Sequence, residues 1–227
     1  MTGVNNFTLF AHRGDNRNFT ENTLVAFYSS IKAGFTAMEL DLVTLRDGNV
    51  VVFHDDDLKR ICDVNRSVHE IDLVEFKKVF PALLTFDEFA DVFENQVLEI
   101  NLEIKDNTGT LNKISERVKK FKNPVISSFE IDVVHEACRM GLECAYLFSK
   151  RYKFLLHRHS LLSRRIHVSS RMILTPLMID YFYKNYDVYC YTVNDVNEAR
   201  ILKSYPFIKG IFTDRVEMQS QLAEKLH

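Results

Sequence analysis

Short apolar runs alternate with helical stripes from one end of the chain to the other. This alternation constrains the fold more than any other feature. Strand-like runs are Phe7–Ala11, Ala37–Val43, Val50–His54, Leu98–Ile104, Pro124–Ser128, Cys144–Phe148, Ile166–Ser169, Val188–Val193 and Gly210–Thr213. Many are nearly continuous in apolar residues, as strands covered on both faces are. Between them, Leu24, Phe27, Tyr28 and Ile31 recur at helical spacing ahead of Gly34, and Thr85 to Glu88 reads as a capping box. Leu111, Ile114, Val118 and Phe121 form another stripe, as do Ile131, Val134 and Cys138 before Gly141. Tyr152, Leu155, Leu156, His159 and Leu162 continue the pattern, Asn194 is placed to cap a helix with Val196, Ala199 and Leu202, and a last helix is expected over Met218–Leu226. Strand–helix alternation of this kind predicts a parallel sheet with covering helices, and 227 residues suit one large α/β domain.

Nine strand candidates are one more than an eight-stranded barrel uses. Arg46-Asp47-Gly48-Asn49 is a hairpin signal. If the chain reverses there, His54 lies across from Glu39; if both flanking runs are barrel strands, the same groups still belong at the C-terminal rim. The sequence leaves both geometries open. Residues 55–84 hold the weakest pattern, with a short helix opening at Asp72, and read as a small insertion covering one edge of a site.

The chemistry-bearing residues stand at strand ends: His12-Arg13-Gly14, Glu39-Leu40-Asp41, His54-Asp55 and Glu103-Ile104-Lys105. Side chains alternate along a strand, so Glu39 shares a face with Asp41, and Glu103 with Lys105. Two carboxylates on one buried face repel unless a cation neutralises them. Hard oxygen ligands such as Glu39, Asp41 and Glu103 suit Mg²⁺ or Ca²⁺. Arg13 can fork onto two phosphate oxygens, and Lys105 adds a point charge. Two imidazoles allow one to take a proton while the other gives one near neutral pH. The set is that of a site cleaving a phosphodiester at a metal ion. The bland alternatives are a core histidine at position 12 and a simple Glu103–Lys105 ion pair. Asp55 and Asp214 are ambiguous, Glu21 and Asn22 are read as setting a helix start, and the remaining histidines as surface or core residues.

A net charge of −2 gives no nucleic-acid footprint. The basic residues are nevertheless uneven: 150–171 holds seven Lys or Arg and no acid. That segment is either a solvated helix face or a patch attracting anionic substrates or anionic lipid surfaces. No apolar run is long enough to span a membrane. The N-terminal residues lack the basic start and apolar stretch of a signal peptide, so a cytoplasmic location is expected. Cys62, Cys138, Cys144 and Cys190 show no CxxC spacing and are expected as buried free thiols.

With these residues in view, the chain resembles the glycerophosphodiester phosphodiesterase family, within the phospholipase-C-like phosphodiesterase barrels. The matching text is Ala11-His12-Arg13-Gly14, Glu21-Asn22-Thr23-Leu24, Glu39-Leu40-Asp41, Asp47-Gly48, Val51-Val52-Phe53-His54-Asp55, Glu103-Ile104-Lys105, Ser127-Ser128-Phe129, Tyr191-Thr192-Val193-Asn194 and Gly210-Ile211-Phe212-Thr213-Asp214. The resemblance implies a single TIM-type (β/α)8 barrel over residues 1–227 with a small insertion after the second or third strand. It implies metal ligands at Glu39, Asp41 and Glu103, an acid–base pair at His12 and His54, and substrate contacts at Arg13, Lys105 and Tyr191. The implied reaction is metal-dependent cleavage of a small glycerophosphodiester to sn-glycerol 3-phosphate and an alcohol. Cleavage of lysophospholipids at a membrane surface and a catalytically silent phosphate-binding barrel are the alternatives. Two departures stand out. Thr20 replaces a proline, and Tyr191 replaces a tryptophan, so the aromatic wall is smaller and carries a hydroxyl.

Overall fold

In the computed structural model, eight strands run parallel and close on themselves, and helices cover the outside. The structure describes residues 7–173, 179 and 184–223. The barrel strands are β1 (Thr8–His12), β2 (Ala37–Thr44), β4 (Glu99–Ile104), β5 (Asn123–Ser128), β6 (Cys144–Phe148), β7 (Arg165–Ser169), β8 (Asp187–Tyr191) and β9 (Ile208–Thr213). Closure comes from β1, which pairs with β2 on one side and β9 on the other.

The ninth strand, β3 (Val50–Val52), is the hairpin extra. It runs antiparallel to β2, pairing Leu42 with Val52 and Thr44 with Val50. β2 is long enough to serve two neighbours on one edge: its first half pairs with β1 and its last three residues with β3. β3 thus sits beyond the end of β1, and the chain leaving it delivers His54 to the C-terminal rim. The reversal is tight: Leu45 N–H donates to Asn49 O at 2.8 Å, and Gly48 takes a φ of +88°.

Alternation fixes what each strand face meets. Met38, Leu40 and Leu42 on β2 and Ile100, Leu102 and Ile104 on β4 pack outward into the main core. There they join α1 (Leu24–Lys32) and the helix Phe86–Phe93, whose Phe27, Phe89 and Phe93 form an aromatic knot with ring centroids 4.7 to 6.0 Å apart. The expected Thr85–Glu88 capping box is present in both directions. Asp72 and Glu75 form another, opening the helix Leu73–Val79. Residues 53–83 bury a smaller cluster of their own, with Phe53, Leu58, Val68, Ile71, Phe76 and Leu83 against Val43, Leu45 and Val51. The inward faces of the barrel are plugged at mid-height. Phe10 stacks on Phe212 at 4.6 Å, and His167 packs against Phe212 and Tyr189. The interior therefore opens towards the C-terminal rim.

Several expectations are corrected. Cys138 and Cys144 are not free thiols: they form a disulfide, with Cα atoms 6.3 Å apart. The loop joining the helix Ile131–Arg139 to β6 is short enough to bring the two together, which CxxC spacing does not register. Cys62 and Cys190 are free. Asp195, not Asn194, caps the helix Val196–Lys203. The helical stripe expected from Tyr152 to Leu162 forms the shorter helix Arg151–His157, which buries Phe154 alone. The last helix is Met218–Ala223, the remainder of its expected span lying outside the described residues. Among the described residues no helix is long and apolar enough to cross a membrane.

Candidate active site

β1 ends at His12, and the chain turns sharply there. Arg13 adopts a φ of +59° and Gly14 a φ of +77°. A Cβ on Gly14 would lie 2.6 Å from the backbone carbon of Ala26, so this position excludes any other residue without movement of α1. The turn aims the Arg13 N–H at the Glu39 carboxylate, Oε2 accepting at 3.0 Å, and its guanidinium at Asp41, 3.1 Å from Nε.

Strand register assembles the acids. Glu39 and Asp41 point inward from β2, and Glu103 of β4 is the register partner of Asp41. All three are buried, and one oxygen from each lies within 4.8 Å of the others. Lys105 Nζ donates to Glu103 Oε1 at 2.8 Å and lies 3.6 Å from Asp41 Oδ1. Asn22 donates to Asp41 Oδ2 at 3.0 Å. Glu39 Oε1 and Asp41 Oδ1 accept no hydrogen bond. Burial, then the charges of Asp41 and Glu103, push the Glu39 carboxyl well above the usual range; burial and Asp41 also raise Glu103. Burial would also raise Asp41, but Arg13, Lys105 and His54 outweigh it and pull Asp41 down to about 2. Three carboxylates face two fixed cations, with two buried oxygens unsatisfied. A hard divalent ion fits both the donor chemistry and the charge deficit.

Each imidazole has a carboxylate behind it. His12 Nδ1 lies 2.7 Å from Asp214 Oδ1, at the end of β9. Asp214 is fixed in turn by Asn16 (2.6 Å) and Asn194 (2.7 Å). Burial opposes ionisation of Asp214, but its bond to His12 and the two amides hold it well below the usual range. A carboxylate only accepts, so His12 Nδ1 carries the proton and Nε2, 3.9 Å from Glu39 Oε2, is the free ring nitrogen. His54 Nδ1 lies 2.6 Å from Asp55 Oδ1 in the same way.

His12, Arg13, Glu39, His54, Glu103, Lys105 and Tyr191 line one cavity of about 210 Å³ at the barrel mouth. Asp41 lies just behind its wall. Phe129, edge-on to Tyr191 at 6.2 Å, forms an aromatic side, and Asn101, His167 and Phe212 form the floor. All eight residues singled out in the sequence therefore converge. Sequence reasoning missed Asn16, left Asp214 ambiguous, read Asn194 as a helix cap, and placed Glu21, Asn22 and His167 outside the site. Thr23, not Glu21 or Asn22, caps α1; those two hold Arg13 and Asp41. His167 is buried and neutral, its pKa lowered by burial and by Arg165, which donates to its Nε2 at 3.1 Å. A larger depression at the opposite end of the barrel, lined by Thr8, Thr36, Glu99 and Lys203, gathers no comparable set of groups.

Carboxylate-backed imidazoles, two cations and a buried acidic triad thus meet at the mouth of a parallel barrel. The profile of the glycerophosphoryl diester phosphodiesterase family matches residues 12–139, and the chain belongs to that family. A glycerophosphodiester phosphodiesterase of Caldanaerobacter subterraneus subsp. tengcongensis is 31% identical over 139 residues, 53% of this chain and 57% of that one. Human lysophospholipase D GDPD1 is 26% identical over 166 residues, covering 64% of this chain and 52% of its own length. The chain thus spans little more than half the length of these curated relatives. Among solved structures, a glycerophosphodiester phosphodiesterase from Thermotoga maritima matches with a TM-score of 0.83 at 28% identity, covering 95% of this chain and 98% of that one. A phosphodiesterase from Oleispira antarctica, solved with the product sn-glycerol-3-phosphate, shares the fold with a TM-score of 0.82 at 22% identity, covering 96% and 97%.

Proposed function

We propose that this chain hydrolyses glycerophosphodiesters to sn-glycerol 3-phosphate and an alcohol, with Mg²⁺ or Ca²⁺ held by Glu39, Asp41 and Glu103. The observation that carries this reading is the convergence of two carboxylate-backed histidines and three buried acids, two of their oxygens unpaired, on one cavity. A divalent ion there would polarise the phosphoryl oxygens and help ionise the attacking hydroxyl. Arg13 and Lys105 offset the charge that grows on the phosphoryl group. His12 and His54 present their Nε2 atoms to the cavity, one to take the proton of the nucleophile and one to protonate the departing alkoxide. Asp214 and Asp55 hold the two rings in the Nδ1–H tautomer throughout. Tyr191 and Phe129 give the substrate an aromatic wall. Incubation with glycerophosphocholine and either metal is expected to release glycerol 3-phosphate, read by a coupled dehydrogenase. EDTA should stop the release and added metal restore it. No product with either ion, or turnover indifferent to EDTA, counts against the reading.

One surface feature favours a second substrate reading, lysophospholipid cleavage at a membrane. Tyr152, Leu155, Leu156 and Leu162 are exposed on the segment that also exposes Lys150, Arg151, Lys153, Arg164 and Arg171. Apolar insertion combined with a basic patch is what binds a protein to an anionic bilayer. On this reading the protein co-sediments with phosphatidylglycerol vesicles at low salt and is released by high salt, and Leu155→Ser with Leu156→Ser abolishes the binding. Failure to co-sediment at low salt removes this reading and leaves the first untouched.

A further inference from the structure

No barrel strand carries His54. It follows β3 and opens the insertion, so the ladder that fixes Glu39, Asp41 and Glu103 does not fix it. The next helix, α2 (Lys59–Cys62), buries none of its own residues. From it, Arg60 reaches back across the gap. One edge of its guanidinium meets Asp55, Nε to Oδ2 at 2.7 Å and Nη2 to Oδ1 at 3.0 Å. The other edge meets Glu21 of the β1–α1 loop, Nη1 to Oε2 at 2.8 Å and Nη2 to Oε1 at 2.6 Å. The oxygens nearest Nη2 are the ones already in use. Asp55 Oδ1 also accepts from His54 Nδ1, and Glu21 Oε1 also accepts from Arg13 Nη1 at 3.0 Å.

We infer that Arg60 is a positioning residue, a latch that joins the insertion to the barrel and holds both His54 and Arg13 through the carboxylates they share with it. What the two held groups do rests on the proposed phosphodiesterase function; the latch itself rests on geometry. Only a planar fork with two usable edges can take both carboxylates at once, so lysine cannot replace it. Without the guanidinium, Asp55 and Glu21 face each other as like charges with no cation between them and draw away from the groups they hold. Arg60 is half-exposed, and exposed ion pairs add little to stability. Its removal should therefore show in the placement of His54 and Arg13 far more than in the melting point.

The test uses the full chain and three readouts. Nitrogen-edited NMR of the wild type should show His54 as a single Nδ1–H tautomer, and Arg60→Ala should show a tautomer mixture at an almost unchanged melting temperature. With glycerophosphocholine and metal, Arg60→Ala should lower kcat by about 10²-fold, the order expected when a reacting group is displaced by about 1 Å. Arg60→Lys should fail to restore it, and added ethylguanidinium should restore part. In a His54→Ala background the same substitution should cost clearly less than its full loss of about 10²-fold, because the part acting through His54 is already lost and only the part acting through Arg13 remains. The latch is wrong if His54 keeps its tautomer in Arg60→Ala, if the losses multiply in full, or if Arg60→Lys behaves as wild type. An inactive wild type would remove the phosphodiesterase reading instead, and the tautomer measurement would still decide the latch.

Discussion

Alanine at His12 is expected to lower kcat by about 10²–10⁴-fold, the range for losing a general acid or base, with the fold intact. The fold survives because the ring contributes little to it. His12 is the last residue of β1, its side chain points into the cavity, and its polar partner Asp214 keeps its bonds to Asn16 and Asn194 when the imidazole is removed. No buried charge is stranded, which is the usual route to a large stability loss. His54→Ala should behave alike, leaving Asp55 paired with Arg60. On the proposed reading the loss should fall mainly on kcat, since proton transfer belongs to the transition state while Arg13, Lys105 and a cation held by the acidic triad would hold the phosphoryl group in the ground state too. Steady-state rates with melting curves on the same samples check this. Either variant turning over within about tenfold of wild type would reassign the proton transfers.

Much of this was legible in the sequence, for a physical reason. Parallel strands buried on both faces must be apolar nearly throughout, so β2, β4 and β6 read directly as strands, and a polar residue interrupting such a run is conspicuous. Glu39, Asp41 and Glu103 interrupt theirs, and Lys105 stands directly after one. What stayed ambiguous or hidden depends on closure and on loops. Asp214 lies 202 residues from His12, and only the pairing of β9 with β1 makes them neighbours. The signal was nevertheless present: in a closed barrel the last strand meets the first, so an acid ending β9 belongs beside a histidine ending β1. Asn16, Asn22, Asn194 and Arg60 are loop or short-helix residues whose roles are set by hydrogen bonds alone, which no periodicity reports. The Cys138–Cys144 pair was missed because it depends on where one helix stops relative to the next strand.

Glu39→Gln should have opposite effects on the metal-free and the metal-loaded protein. Without a cation, Glu39, Asp41 and Glu103 crowd their charges into a buried space against Arg13 and Lys105 alone. Removing one charge relieves that repulsion, and the amide oxygen introduced by the substitution can still accept from the Arg13 N–H. The metal-free variant should therefore melt above metal-free wild type. Adding Mg²⁺ or Ca²⁺ at about 100 times its Kd should stabilise the wild type by roughly 2.7 kcal/mol through mass action alone. The variant, short of one hard anionic ligand, should lose most of that gain, and its turnover should fall with it. Calorimetric titration and paired melting curves with and without metal read both halves. Unchanged metal affinity in Glu39→Gln would move the ion away from this triad. A metal-free variant less stable than wild type would show that the carboxylate serves through its bond to Arg13 rather than as a ligand.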